Sequence, residues 1–268
     1  MKKSKILSCL LIATLAIAMI SGCSTQTQAP KAKTEEPQKT LTMAVNATFP
    51  PFESVKVDDK SNQSFVGIDM DIANYIADKL NVKLQINDMA FNGLVTAISS
   101  GRADLCISGI SPTAKRLEVI DFSDPYFYPQ TGILSLKGSG YETLKSLEGK
   151  KIGVSLETTY ANQAASVKDA KVVELDNTPL VVQEIVNNRV DAGIFDGSQA
   201  YEFMKQNKNL ELHLLPAEMV AEDSYAIALP KNSPYKERIN QILAEMNKNG
   251  KMKEILTKWL GDSYVSQK

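Results

Sequence analysis

Strand-like and helix-like segments alternate along this chain, which restricts it to an α/β architecture of largely parallel strands with helices on both sheet faces. Residues 41–45, 82–86 and 103–107 read as strands. Between them, Ile68, Ile72, Tyr75, Ile76 and Leu80 share one helical face, and Phe91, Leu94, Val95 and Ile98 share another over residues 91–99. Asp69 and Asp71 fall in the first turn of the earlier helix, where the helix dipole favours acids. The series breaks once, at the proline-bounded aromatic run 119–129, which reads as a crossing into the strand 132–136. A second series then repeats the pattern, with strands at 151–155, 171–175 and 191–195 and helices at 160–167, 179–188 and 198–206. Residues 210–215 and 225–229 are the last strand-like runs. The amphipathic helices 235–246 and 251–260, with Trp259 on an apolar face, are expected to return to the first unit.

The N-terminus indicates the compartment. Lys2, Lys3 and Lys5 precede a mostly apolar run over 6–20, shorter than the roughly 20 residues of a membrane-spanning helix and suited to an export leader. It ends in Ile20-Ser21-Gly22-Cys23, which resembles a bacterial lipobox. Residues 1–22 are therefore read as a lipoprotein signal peptide and Cys23 as the lipidated first residue; the alternative is a plain secretory signal with a chance cysteine. Residues 23–39 are polar and proline-punctuated, the composition of a flexible tether. Cys106 is then the single cysteine of the folded part, within an apolar strand, and is expected to be inert core. Removing the three leader lysines from 30 basic residues, against 31 acidic ones, leaves a formal charge of −4 with no basic cluster, which argues against a nucleic-acid partner.

The segment 108–116, Ser-Gly-Ile-Ser-Pro-Thr-Ala-Lys-Arg, offers the first candidate site. It follows a short buried strand, and Ser111-Pro112 reads as an N-cap followed by proline at the first helical position. Unpaired backbone N–H groups, hydroxyls and Arg116 would then converge on a volume suited to a carboxylate. An ordinary strand-to-helix turn with a solvated Arg116 is the competing reading.

Five features in order carry a resemblance. They are the lipobox, Asn-Ala-Thr-Phe-Pro-Pro-Phe-Glu (46–53), Phe-Val-Gly-Ile-Asp-Met-Asp (65–71), Ile-Ser-Gly-Ile-Ser-Pro-Thr-Ala-Lys-Arg (107–116) and Ile-Asp-Phe-Ser-Asp-Pro-Tyr (120–126). Together they resemble the polar amino acid-binding proteins of bacterial ATP-binding-cassette importers, over residues 41–260. The resemblance implies a two-lobed type II periplasmic-binding-protein fold, each lobe a mostly parallel sheet flanked by helices, joined by two hinge strands. Lobe 1 would comprise 40–128 plus 227–268 and lobe 2 132–222, with hinge crossings at 126–132 and 223–229.

It also implies roles. Arg116, helped by Ser111 and the backbone around Ser108 and Gly109, would hold the ligand carboxylate. A guanidinium fork suits that task independently, since it binds a carboxylate with two parallel hydrogen bonds. Asp196 would take the α-ammonium, its competing role being a helix N-cap, and Thr159 would help with the carboxylate from a helix start. Phe49 and Phe91 match aromatic walls around the ligand side chain, although an aromatic at helical spacing such as Phe91 also reads as core. Asn46 stands where basic amino acid binders often carry aspartate, and Glu157 where relatives usually carry glycine. Glu157 and Glu53 are candidates for meeting a cationic side chain, or for serving no ligand role.

The implied function is an extracytoplasmic, lipid-anchored binding subunit that captures an amino acid and delivers it to a membrane permease, with no cofactor, no metal site and a monomeric state expected. Arginine is the first expectation for the ligand, with glutamine and cystine as alternatives. A dehydratase-type enzyme on the same fold finds little in the sequence: the single histidine, His213, lies in an alternating run, and no Gly-x-Ser-x-Gly or metal-spaced set is present. A sensory ligand-binding domain is a third reading, against which the mature chain offers no spanning helix or output domain.

Overall fold

The computed structural model describes residues 38–220 and 223–261. The leader, Cys23 and most of the tether lie outside the described residues. The described chain begins with β1 (Thr40–Val45), followed by a small antiparallel sheet of β2 (Thr48–Phe49), β3 (Glu53–Val57) and β4 (Gln63–Val66). Then come α1 (Ile68–Leu80), β5 (Lys83–Asp88), α2 (Leu94–Ser99), β6 (Leu105–Cys106), the single turn α3 (Ala114–Leu117) and β7 (Ile120–Phe127). The chain next builds β8 (Thr131–Leu136), β9 (Lys151–Ser155), α4 (Thr159–Ala165), β10 (Lys171–Leu175), α5 (Thr178–Val186), β11 (Ala192–Asp196), α6 (Gly197–Gln206) and β12 (Leu210–Leu214). It ends with β13 (Tyr225–Pro230), α7 (Lys236–Lys248) and α8 (Lys251–Leu260).

Two five-stranded sheets result, ordered β5-β1-β6-β13-β7 and β10-β9-β11-β8-β12. They share one plan. A parallel trio (β5, β1, β6 or β10, β9, β11) is extended by antiparallel strands, and the first of these is the strand arriving from the other lobe: β13 in one sheet and β8 in the other. This is the type II periplasmic-binding fold. The chain crosses between the lobes twice, after β7 and again before β13.

Both sheets are buried on both faces, which is why their strands are near-continuous apolar runs. Along β13, Tyr225, Ile227 and Leu229 face one core and Ala226 and Ala228 the other. Ile133 and Leu134 of β8 divide in the same way between the two cores of the second lobe. Helices α7 and α8 pack against α1 through Ile242, Met246 and Ile255. Trp259 is half-buried there, its Nε1 donating to Asp71 at 2.7 Å. Cys106 is a free, fully buried thiol in the first lobe, and burial raises its pKa.

Several local expectations are corrected. The run 119–129 is not a bare crossing, because residues 120–127 form β7, bulged against β13 and accommodating Pro125. Residues 91–99 divide into a 3₁₀ turn at Phe91–Gly93 and α2. The N-cap ahead of Arg116 is Thr113, whose hydroxyl accepts from Arg116 N–H at 3.3 Å, and not Ser111. Thr113 N–H donates to Ser111 O at 3.0 Å in a turn ahead of the helix, which begins only at Ala114.

Candidate functional site

The cleft lies where the C-terminal ends of the parallel strands of both sheets face each other, beside the returning strand β13. Open α/β sheets bind ligands at such ends because helix N-termini and loop side chains converge there. It encloses about 560 Å³ of space, part of which is open solvent at its mouth.

The first lobe contributes Asn46 after β1, Phe49 on β2, Phe91 after β5, Ser108, Gly109 and Ser111 after β6, and Arg116 on α3. Arg116 is only 9% exposed. Its Nη1 donates to Ser111 O at 2.9 Å, its Nη2 donates across the cleft to Glu157 O at 2.8 Å, and its guanidinium carbon lies 5.4 Å from the centre of the Phe91 ring. Burial lowers its pKa, yet guanidinium stays protonated in proteins, so a cation is held at the cleft wall. Phe91 therefore serves partly as a platform for Arg116. Phe49 stacks on Phe52 at 5.1 Å and meets Tyr225 edge-on at 6.0 Å.

Ser108 and Gly109 are tied from behind. Ser108 Oγ accepts from Asn46 N–H at 2.9 Å and donates to Glu53 Oε1 at 2.6 Å, while Gly109 N–H donates to Asp69 Oδ2 at 2.8 Å. The Gly109 N–H, expected to face a ligand carboxylate, is thus committed to Asp69. Gly109 has φ +49°, and a Cβ there would come within 2.6 Å of the Phe49 ring, so this close approach requires glycine. Asn46 is also engaged, its Nδ2 donating to Met89 O at 2.9 Å and its Oδ1 accepting from Thr48 Oγ1 at 2.7 Å.

On the second lobe, Thr158 caps α4 and Thr159 follows at its first position; both line the cleft, and Thr159 Oγ1 donates to Asp223 at 2.9 Å. Three sequence candidates, Glu53, Glu157 and Asp196, do not line the cleft. Glu53 is fully buried behind Ser108, whose Oγ donates to it, so it does not face a ligand side chain. Glu157 points to solvent, and its contribution is the carbonyl that accepts from Arg116. Its φ of 58° is left-handed, a conformation most easily adopted by glycine, which accounts for the glycine expected there.

Asp196 is fully buried just behind the cleft-lining Phe195 and Gln199. It caps α6, accepting from Gln199 N–H at 2.8 Å, and accepts from Tyr225 Oη at 3.3 Å; Tyr225 Oη in turn lies 2.9 Å from Tyr160 Oη. Burial raises its pKa to about 6, opposed by these hydrogen bonds. The structure adds residues that the sequence reading missed: Asp176, Asn177 and Thr178 between β10 and α5, Ser155 at the end of β9, Gln199 on α6, and Tyr225. The signal for the first group was Asn177 followed by Pro179, a capping pattern that opens α5 at the cleft. Among the described residues no cluster of His, Cys, Asp and Glu is arranged to hold a metal ion.

The profile of bacterial extracellular solute-binding proteins, family 3, matches residues 41–262. The arginine-binding extracellular protein ArtP of Bacillus subtilis is 32% identical over 248 residues, covering 91% of this chain and 95% of that protein. The crystal structure of AbpA from Streptococcus pneumoniae bound to L-arginine is 30% identical with a TM-score of 0.78, covering 82% of this chain and 94% of that one. An ancestral arginine-binding protein bound to glutamine is 37% identical with a TM-score of 0.74, covering 85% of this chain and 100% of that one.

Proposed function

The chain belongs to the bacterial extracellular solute-binding proteins, family 3, and from that premise we propose that it is the arginine-binding subunit of an ATP-binding-cassette importer. Membership makes it an extracytoplasmic binding protein that serves a permease, and not an enzyme. The specific reading rests on one observation: the cleft carries a buried cation, Arg116, on one lobe and a carboxylate, Asp176, on the other. Arg116 is suited to the ligand α-carboxylate. Asp196 is suited to the α-ammonium, because it is a buried carboxylate with no cation bonded to it among the described residues, and an ammonium would supply one. Asp176, with Phe49 and Phe91, is suited to a guanidinium side chain. The name of ArtP and the L-arginine bound to AbpA support arginine, and the glutamine-bound ancestral protein makes glutamine the ligand to test beside it.

Calorimetric titration with both amino acids tests the assignment. Asp176→Asn is expected to weaken arginine about tenfold, roughly 1.4 kcal/mol, and to leave glutamine nearly unchanged. Equal losses for both would remove Asp176 from side-chain recognition. Phe91→Ala is expected to alter the order of preference, because it removes both a cleft wall and the platform under Arg116.

Closure follows from the same arrangement. Only a ligand that engages both lobes favours the closed form, and shifting a mostly open population to a mostly closed one needs about 5.5 kcal/mol of differential affinity. Small-angle scattering should therefore show a smaller radius of gyration with saturating arginine. Anchoring through Cys23 is part of the proposal. Cys23→Ser should release the protein from the membrane fraction, and retention there would count against lipidation.

A further inference from the structure

Beneath the cleft lie two carboxyl groups that the binding reading does not use. Glu53, at the start of β3, and Asp69, in the first turn of α1, are both 0% exposed. Three donors reach two of their four oxygens: Ser108 Oγ to Glu53 Oε1 at 2.6 Å, and Gly109 N–H at 2.8 Å and Tyr126 Oη at 3.0 Å to Asp69 Oδ2. That leaves one oxygen on each, Glu53 Oε2 and Asp69 Oδ1, buried and without a donor. The two side chains interact directly with each other. Two interacting carboxylates cannot satisfy one another's oxygens unless a hydrogen lies between them, and a buried unsatisfied carboxylate oxygen costs more than almost any other polar defect.

We propose that Glu53 and Asp69 hold one proton between Glu53 Oε2 and Asp69 Oδ1, and that this proton makes them the positioning residues for the Ser108–Gly109 edge of the cleft. One added hydrogen satisfies both orphan oxygens and leaves a single negative charge spread over the pair, received by Tyr126 Oη, Gly109 N–H and Ser108 Oγ. With the pair held together, Ser108 Oγ is fixed between Glu53 and Asn46 N–H, and Gly109 is fixed against the Phe49 ring. Without the proton, two like charges would separate and carry that edge apart.

The surroundings favour retaining the proton. The other titratable groups around the pair are Asp88 at the end of β5, Cys106 on β6 and Tyr126 on β7, and among the described residues no Lys, Arg or His is bonded to either carboxyl. Burial, then the Asp69 charge, push Glu53 well above the ordinary glutamate range, and burial lifts Asp69 to about 6. Both groups bind protons more tightly folded than unfolded. Their contribution to stability is therefore most favourable at low pH and declines as pH rises from ordinary carboxylate values toward the raised ones.

Amide substitution separates this arrangement from a pair of ionised carboxylates. Glu53→Gln replaces the shared proton with an amide hydrogen donating to Asp69, and Asp69→Asn does the same in the opposite direction. Each single variant is expected to keep the melting temperature within a few degrees of the parent and to leave the Gly109 amide cross-peak in place. The double variant sets two NH2 donors face to face. It is expected to melt far below the sum of the singles and to shift the Gly109 cross-peak; a double variant no worse than that sum would overturn the proposal. Infrared spectra of protein carrying 13C-labelled glutamate carboxyls and aspartate carboxyls, at pH 7, supply a readout on the parent itself. A protonated-carboxyl C=O band is expected in the parent and should vanish in Glu53→Gln, where the melting temperature should also lose part of its fall with pH. Absence of that band in the parent would overturn the proposal even if the double variant failed to fold. These measurements contain no ligand, so they stand or fall separately from the arginine assignment.

Discussion

Arg116→Ala is expected to weaken binding of every amino acid by at least about thirtyfold while leaving the protein folded. The guanidinium is nearly buried, anchored by Ser111 O on its own lobe and by Glu157 O on the other, with Phe91 beneath it. Truncating one member of a buried, charge-assisted pair typically costs about 2–5 kcal/mol, so the expected loss in affinity runs from roughly thirtyfold to several thousandfold. The effect should be uniform across side chains, because every α-amino acid carries the same carboxylate. Arg116→Lys retains the charge without the planar fork and should recover only part of the loss. Calorimetry against arginine, glutamine and cystine gives the result directly, and normal binding by Arg116→Ala would remove the carboxylate assignment.

The second large effect concerns stability. Gly67 links β4 to α1 with φ +137°, and a Cβ there would lie 2.0 Å from the Phe52 carbonyl oxygen and 2.5 Å from its carbon. Both neighbours are backbone atoms, pulled close because Ile68 N–H donates to Pro51 O at 3.0 Å and Asp69 N–H donates to Phe52 O at 2.9 Å. No rotamer change relieves such a contact. Gly67→Ala is therefore expected to lose about 4 kcal/mol or more, at the exceptional end for single substitutions. Gly101→Ala is the control: it also has positive φ, but nothing lies within 4 Å of its Cβ, so its smaller loss isolates the backbone strain. Urea denaturation of both variants measures the difference.

The strand and helix alternation was legible because doubly buried strands advertise themselves, as Tyr-Ala-Ile-Ala-Leu in β13 does, with large residues toward one core and alanines toward the other. The cleft was legible where a motif named it, at Arg116, Phe49 and Phe91. What escaped was the consequence of non-local packing. Glu53 reads as a loop acid until β3 and β6 are brought together, and Asp69 reads like Asp71, an acid favoured by the helix dipole. In the fold, Asp71 receives Lys258 and Trp259 at the surface while Asp69 turns inward to Gly109. Asp176 is one acid among 31 and gains meaning only when the end of β10 is set against the other lobe. The N-cap moved from Ser111 to Thr113, since hydroxyls two residues apart offer equivalent caps until the packed turn selects one.

The strand order also has a temporal side. The second lobe's sheet is contiguous in the chain, from β8 to β12, whereas the first lobe's sheet needs β13 inserted between β6 and β7, some hundred residues after β7. A chain emerging N-terminus first can therefore complete the later-numbered lobe before the earlier one. Until Tyr225 and the helices behind it have emerged, β6 and β7 present open edges and Phe52 lacks the edge-on contact of the Tyr225 ring. During export, the half that carries Arg116 is the last to acquire its shape, and the binding cleft is assembled by the final fifth of the polypeptide.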